Sequence, residues 1–145
     1  MKIFYIVDVF AQKKYSGNQL AVFRKGDGFS SEKMQILARE MNYSETTFIL
    51  SDTKQDDGFD VRIFTPAREV PFAGHPTLGT AFIIQQYILQ KPVEEVILNL
   101  KIGRIPVKFS YKGSDPEWLW MRQKPPRFGE SFNRGAVAES LHLHL

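Results

Sequence analysis

His75-Pro76-Thr77-Leu78-Gly79-Thr80-Ala81-Phe82-Ile83-Ile84-Gln85-Gln86-Tyr87-Ile88-Leu89 reads as one helix. Proline suits the first helical position, where its missing N–H costs no hydrogen bond, and that choice makes His75 the N-cap. Pro92 stops the helix. At 3.6 residues per turn, Leu78, Ala81, Phe82, Ile83, Ile84, Tyr87, Ile88 and Leu89 point in nearly every direction. A helix that is apolar all round is buried all round. Gly79, Thr80 and Ala81 are small enough to let surrounding backbone come close. Such a helix needs a wrapping.

Strands on either side can supply it. Residues 2–10 and Leu20–Phe23 are rich in β-branched and aromatic side chains, with a Ser16-Gly17-Asn18 turn between them. Thr46–Leu50 follows, and Phe59-Asp60-Val61-Arg62-Ile63-Phe64 alternates at period two after an Asp56-Asp57-Gly58 turn. Beyond Pro92 come strands at 94–100, 103–111 and 118–123, the first two joined across a tight Ile102-Gly103 turn. One further helix is capped by Ser30 or Ser31 and runs to about Met41. Its apolar stripe is Met34, Leu37, Ala38 and Met41, which leaves Glu32, Lys33, Gln35 and Arg39 in water. The expected class is α+β: a curved antiparallel β-barrel-like sheet wrapped around a central apolar helix.

A final helical pattern at 134–143 places Val137, Leu141 and Leu143 on one face. It ends with the chain and has no partner after it. The chain therefore reads as truncated at a domain boundary. Pro125 and Pro126 mark the break.

Of the 145 residues, 43% are apolar and 24% charged, with a net charge of +3. This is a globular balance. With no cysteine, the chain has no disulfide, no thiolate nucleophile and no Cys-based metal site. An acidic Asp8 comes too early for a signal peptide, and no run of about 18 apolar residues exists to span a membrane. A cytoplasmic protein is expected. Residues 101–134 hold eight basic side chains against three acidic ones. A phosphate-binding face is one reading, and solvated strand edges carrying Lys and Arg are the plainer one. No nucleic-acid partner is expected. His142 and His144 alternate at the terminus, where a metal pair is less natural than a frayed end.

Three places carry candidate chemistry. A helix start exposes unpaired N–H groups and a positive partial charge, usually offset by Asp or Glu. The first turn at Gly74-His75-Pro76-Thr77 has no acid, which makes it a ready site for a substrate carboxylate with His75 beside it. The alternative is a capping histidine bonded to nearby backbone. Glu45 lies where a loop enters a hydrophobic strand and could take and return a proton. The alternative is a solvated acid at a strand end. Asn18 offers an amide near the same cleft, or a plain turn. No Gly-rich phosphate loop and no serine elbow is present.

These segments together resemble the PhzF-like (phenazine biosynthesis-like) family, which shares its fold with diaminopimelate epimerase and proline racemase. The resemblance rests on Val7-Asp8-Val9-Phe10, on Gly17-Asn18-Gln19-Leu20-Ala21-Val22, and on Ser44-Glu45-Thr46-Thr47-Phe48. It rests most on Arg62–Pro66 running through Glu69-Val70-Pro71-Phe72-Ala73-Gly74-His75-Pro76-Thr77-Leu78-Gly79. It implies two facing lobes, each a curved barrel around a central helix, with the site between the two helix N-termini; residues 1–124 would then be the N-terminal lobe, and 125–145 an inter-lobe linker with the start of a truncated second lobe. It also implies an isomerase needing neither cofactor nor metal. In the phenazine enzyme, a glutamate moves a proton from one ring carbon of a dihydro-hydroxyanthranilate to another. Glu45 stands at that position, where the epimerases use cysteine. The resemblance thus names Glu45 as the acid and base and Gly74 and His75 as substrate contacts; taken with the residue reading, Glu45 and His75 are the catalytic candidates and Asn18, Gly74, Pro76 and Thr77 the substrate-binding ones. Gln19 departs from the family, which more often has proline there. Family members are about twice as long, so two further arrangements are expected: a homodimer of lobes, or an orphan lobe that only binds or self-associates.

Overall fold

A computed structural model of the chain describes residues 3–143. In order, the elements are β1 (Phe4–Val9), β2 (Asn18–Phe23), α1 (Ser31–Met41), β3 (Thr46–Ile49), β4 (Phe59–Phe64), β5 (Glu69–Val70), α2 (Gly74–Ile83), β6 (Glu95–Leu100), β7 (Gly103–Lys112), β8 (Asp115–Met121) and α3 (Arg134–Ser140). The strands form one sheet in the order β1-β2-β3-β4-β6-β7-β8, with β5 added on β4. Helix α2 lies against β1, β2 and β3 and also against β6, β7 and β8. One helix can touch strands from both ends of a sheet only if the sheet curls around it. The expected α+β class and wrapped helix are therefore present.

The sheet is mixed rather than purely antiparallel. β2 pairs with β3 in parallel, Ala21 opposite Thr46, and β4 pairs with β6 in parallel, Phe59 opposite Leu98. The cause is connectivity. A helix between neighbouring strands brings the chain back in the same direction, whereas tight hairpins reverse it. β2-α1-β3 and β4-α2-β6 are two such crossovers. β3 and β4 are antiparallel, so the two crossovers start from oppositely directed strands. The right-handed preference then sends their helices to opposite faces.

Two separate cores record this. Leu20, Val22, Ile49, Phe59, Val61, Ile63, Leu98, Ile105 and Val107 pack with Ala81, Ile83 and Ile84 of α2. Ala21, Phe23, Phe48 and Phe64 pack with Met34 and Ala38 of α1. Within β2 and β3, alternate residues serve alternate cores, because successive side chains leave a strand on opposite sides.

α1 begins where expected, with the Ser30 hydroxyl accepting from the Lys33 N–H at 3.2 Å. Gln35 is not free in water, however. Its amide donates to the carbonyls of Thr65 and Pro66 at 2.9 and 3.1 Å, clasping the β4–β5 turn. β8 begins at Asp115, three residues earlier than expected. It is an edge strand, where proline is tolerated because its missing N–H need not face a partner. α2 continues past Ile83 as a π-helical segment, Ile84–Leu89, and the Gln90 N–H bonds the Gln85 carbonyl at 2.9 Å. Tyr87 is exposed on that extension, and Leu78 and Phe82 are only half-buried, so the helix is not buried all round as expected. Residues 122–133 have no regular structure, and Val137, Leu141 and Leu143 are all exposed. The terminal pairing of His142 with His144 lies outside the described residues.

Candidate active site

Helix α2 starts two residues earlier than Pro76 suggests, so His75 is not its N-cap. Ala73 is the N-cap, with extended dihedrals and no side-chain cap. Gly74 and His75 thus occupy the first two helical positions and Pro76 the third. All the N–H groups of a first turn lack helical partners, so proline fits the third position as well as the first. The first turn contains no acidic residue. The Thr77 N–H and hydroxyl both donate to the Ala73 carbonyl, at 3.3 and 2.7 Å.

His75 sits beneath two other predicted residues. Its Nδ1 is 3.3 Å from Asn18 Nδ2, at the head of β2. Its Nε2 is 3.5 Å from Glu45 Oε2, on the residue preceding β3. The parallel β2–β3 joint brings those two strand ends side by side, and the curl of the sheet presents both to the α2 start. The His75 side chain is 9% exposed and that of Glu45 is 19%. Glu45 Oε2 and His75 Nε2 approach each other without hydrogen-bond geometry, and both are buried without a hydrogen-bond partner. Burial holds the His75 imidazole below its ordinary pKa, against a smaller opposing pull from Glu45 and from backbone at Gln19. Burial thus favours the neutral form of the ring.

Two orphaned polar atoms facing each other beside an acid-free helix start are a place for a third, polar party. The Gly74 and His75 N–H groups lie ahead of the first helical hydrogen bond and suit an anion. Pro76 and Thr77 are placed differently. Both are buried, and the Thr77 hydroxyl is already spent on Ala73. The structure thus gathers Glu45, His75, Asn18 and Gly74 and sets Pro76 and Thr77 behind them. Among the described residues, no group of three or more His, Cys, Asp or Glu could hold a metal ion.

Two supporting features escaped the reading of the residues. The Thr47 and Thr80 hydroxyls share a buried hydrogen bond of 2.8 Å that ties β3 to α2 just behind the site. Thr47 is two residues past Glu45, and so on the same side of its strand, which was the available signal. Met121 on β8 brings its Cε to 3.4 Å from where a Gly74 Cβ would stand, so β8 closes one side of that corner.

Comparison with known proteins points one way. The phenazine biosynthesis-like protein family matches residues 7–145. A trans-2,3-dihydro-3-hydroxyanthranilate isomerase of Pseudomonas aeruginosa is 38% identical over 136 residues, covering 94% of this chain and 47% of the relative. An uncharacterized isomerase of Escherichia coli is 38% identical over 142 residues, covering 96% of this chain and 46% of the relative. Among solved structures, a predicted epimerase of Pseudomonas aeruginosa superposes with a TM-score of 0.83 at 31% identity, covering 97% of this chain and 50% of its own. The chain spans about half the length of these curated relatives.

Proposed function

Because the chain belongs to the phenazine biosynthesis-like family, we propose that it is one lobe of an isomerase that moves a proton between carbon atoms of a small carboxylate-bearing substrate. The lobe comprises residues 1–124, and residues 125–145 lead away from it. Glu45 takes a proton from carbon and returns it at another carbon of the same molecule, so atoms and charge balance without a redox partner. The electron pair left at the first carbon moves through adjacent unsaturation as the proton is delivered to the second. The N–H groups of Gly74 and His75 hold the substrate carboxylate at the positive end of α2. His75, neutral and oriented by Asn18, offers a ring nitrogen to the same substrate.

The observation that carries this reading is the pair of unpartnered buried atoms, Glu45 Oε2 and His75 Nε2, 3.5 Å apart at that helix start. Water-poor surroundings strengthen such interactions. Positioned acid–base groups contribute about 10²–10⁴ in rate. Glu45→Gln should therefore reduce solvent deuterium incorporation into trans-2,3-dihydro-3-hydroxyanthranilate by about 10²-fold or more. Equal incorporation by both proteins removes Glu45 from the mechanism.

A second reading is favoured by the half-length match and by the apolar surface left open. Leu78 and Phe82 of α2 are only half-buried, and Trp118, Trp120, Phe128 and Phe132 are exposed by 62–92%. Here the lobe is catalytically incomplete and pairs with a second copy, or only binds a ligand. Sedimentation equilibrium decides between the arrangements. A dimer supports paired lobes. A monomer that exchanges no substrate deuterium and does not bind benzoate removes both readings for the chain on its own.

A further inference from the structure

The start of α2 is placed by a segment that contains neither Glu45 nor His75. Strand β5 leaves only Pro71, Phe72 and Ala73 before Gly74. Wherever β5 sits, the site's helix must begin within about 14 Å of it, the reach of the four residues from Val70 to Gly74. β5 pairs with the second half of β4, Ile63 opposite Val70 and Phe64 opposite Glu69. β4 pairs with β6 only through Phe59 and Asp60. Past Asp60 the two halves of the sheet therefore part, with β5 on one side of the gap and the β6–β7 turn on the other.

Glu69 spans that gap. Arg62 Nε and Nη2 donate to its two oxygens at 2.8 Å each, a bidentate fork. From the β6–β7 turn, Lys101 Nζ donates to Glu69 Oε2 at 2.6 Å. The third arm of Arg62, Nη1, donates to Ser31 Oγ on α1 at 3.0 Å, and the guanidinium lies 5.1 Å from the Phe64 ring centre. Alongside, the Ile102 N–H donates to the Pro71 carbonyl at 3.3 Å. The Arg62 and Glu69 side chains are 25% and 15% exposed, so their fork is shielded beyond an ordinary surface pair, whereas Lys101, 58% exposed, reaches it from solvent.

We propose that Arg62, Glu69 and Lys101 are positioning residues: by locking β5 against both halves of the sheet, they set where His75 meets Glu45. The inference takes that pair as the site and so rests on the proposed function, but its test does not need turnover. A displacement of about 1 Å at a reacting pair is enough to matter for chemistry.

The test is the titration of His75, followed by the proton NMR signal of its Cε1–H and assigned by its loss in His75→Gln. Glu69→Asn is avoided because it shortens the side chain; Glu69→Gln is isosteric and removes the charge. Removing a negative charge would by electrostatics alone push the His75 midpoint down. Loosening β5 admits water to the ring, which raises the midpoint, and parts it from Glu45, which lowers it; burial is the larger of the two effects, so the net shift is up, toward free histidine. An upward shift is the expected result. Asp52→Asn is the control, because it breaks the corresponding fork from Arg24 (3.1 and 2.9 Å) elsewhere in the fold. It should lower the melting temperature without moving His75. Arg62→Lys, which keeps charge but loses the fork, should fall between wild type and Arg62→Met. If Glu69→Gln lowers the melting temperature while the His75 midpoint stays put or drops, the cluster is merely stabilising and the proposal is overturned. If Glu45→Gln leaves deuterium incorporation intact while Glu69→Gln moves His75 upward, the mechanism falls and the positioning role stands.

Discussion

Burial of the His75 ring disfavours its protonated form more than the nearby Glu45 carboxylate favours it. The folded protein therefore releases the ring proton at a lower pH than the unfolded chain, whose histidine titrates near 6.5. Above that pH both states are neutral and the site carries no penalty. As pH falls through about 6.5 toward the lower folded value, the unfolded chain binds the proton first and stability is lost. His75→Gln cannot titrate. Wild type should lose urea resistance relative to this variant between pH 7.5 and 5.5, and parallel losses in both proteins would remove the argument. Sequence reading reached His75 and Glu45 unevenly. Each alone looked like an ordinary cap and an ordinary strand-end acid. Only their joint occurrence within family motifs singled them out, because the contact between them spans a parallel joint and a helix start that no local pattern encodes.

At the scale of elements, Gly79 shows how tightly α2 is seated. A Cβ there would stand 2.7 Å from both Leu20 Cδ2 and Val9 Cγ2. Gly79→Ala should gain a little helix propensity and lose more to overpacking, a net destabilisation of about 1–3 kcal/mol. Urea unfolding should show a lower midpoint at unchanged slope, and a midpoint at or above wild type would mean that α2 can shift outward without cost. Most elements were legible. Period two in Phe59–Phe64 and the stripe of Met34, Leu37, Ala38 and Met41 report burial directly, whereas the apolar girth of 75–89 overstated it, since Leu78 and Phe82 are half-buried and Tyr87 is exposed. Strand direction was not, since alternation looks the same in parallel and antiparallel pairs. The start of β8 was hidden by Asp115, Pro116 and Glu117, which resemble a loop but suit an edge. The π-helical extension of α2 left no mark in composition. The Arg62–Glu69–Lys101 cluster could not be read because a charged side chain's partner is chosen by the folded surface, not by spacing along the chain.

For the whole molecule, the division at about residue 124 has a direct check. Among the described residues from 122 onward, only Ala138 is buried. Ending the chain after Lys124 should cost about 1 kcal/mol, roughly the burial of one small side chain, and leave a single cooperative transition. Loss of cooperative unfolding in that shortened protein would show that the tail belongs to the lobe. No helix among the described residues is long and apolar enough to cross a membrane.

The two parallel joints also govern how the lobe assembles in time. A hairpin can zip outward from its turn, but a parallel pair waits until the intervening helix has swung across the sheet. β2 must await α1 to meet β3, and β4 must await α2 to meet β6. Half-made chains therefore carry raw strand borders beside an unseated, greasy helix. Clumping of newly synthesised molecules is most dangerous in that interval, before α2 has settled, and dilution or cooling during refolding acts on that window.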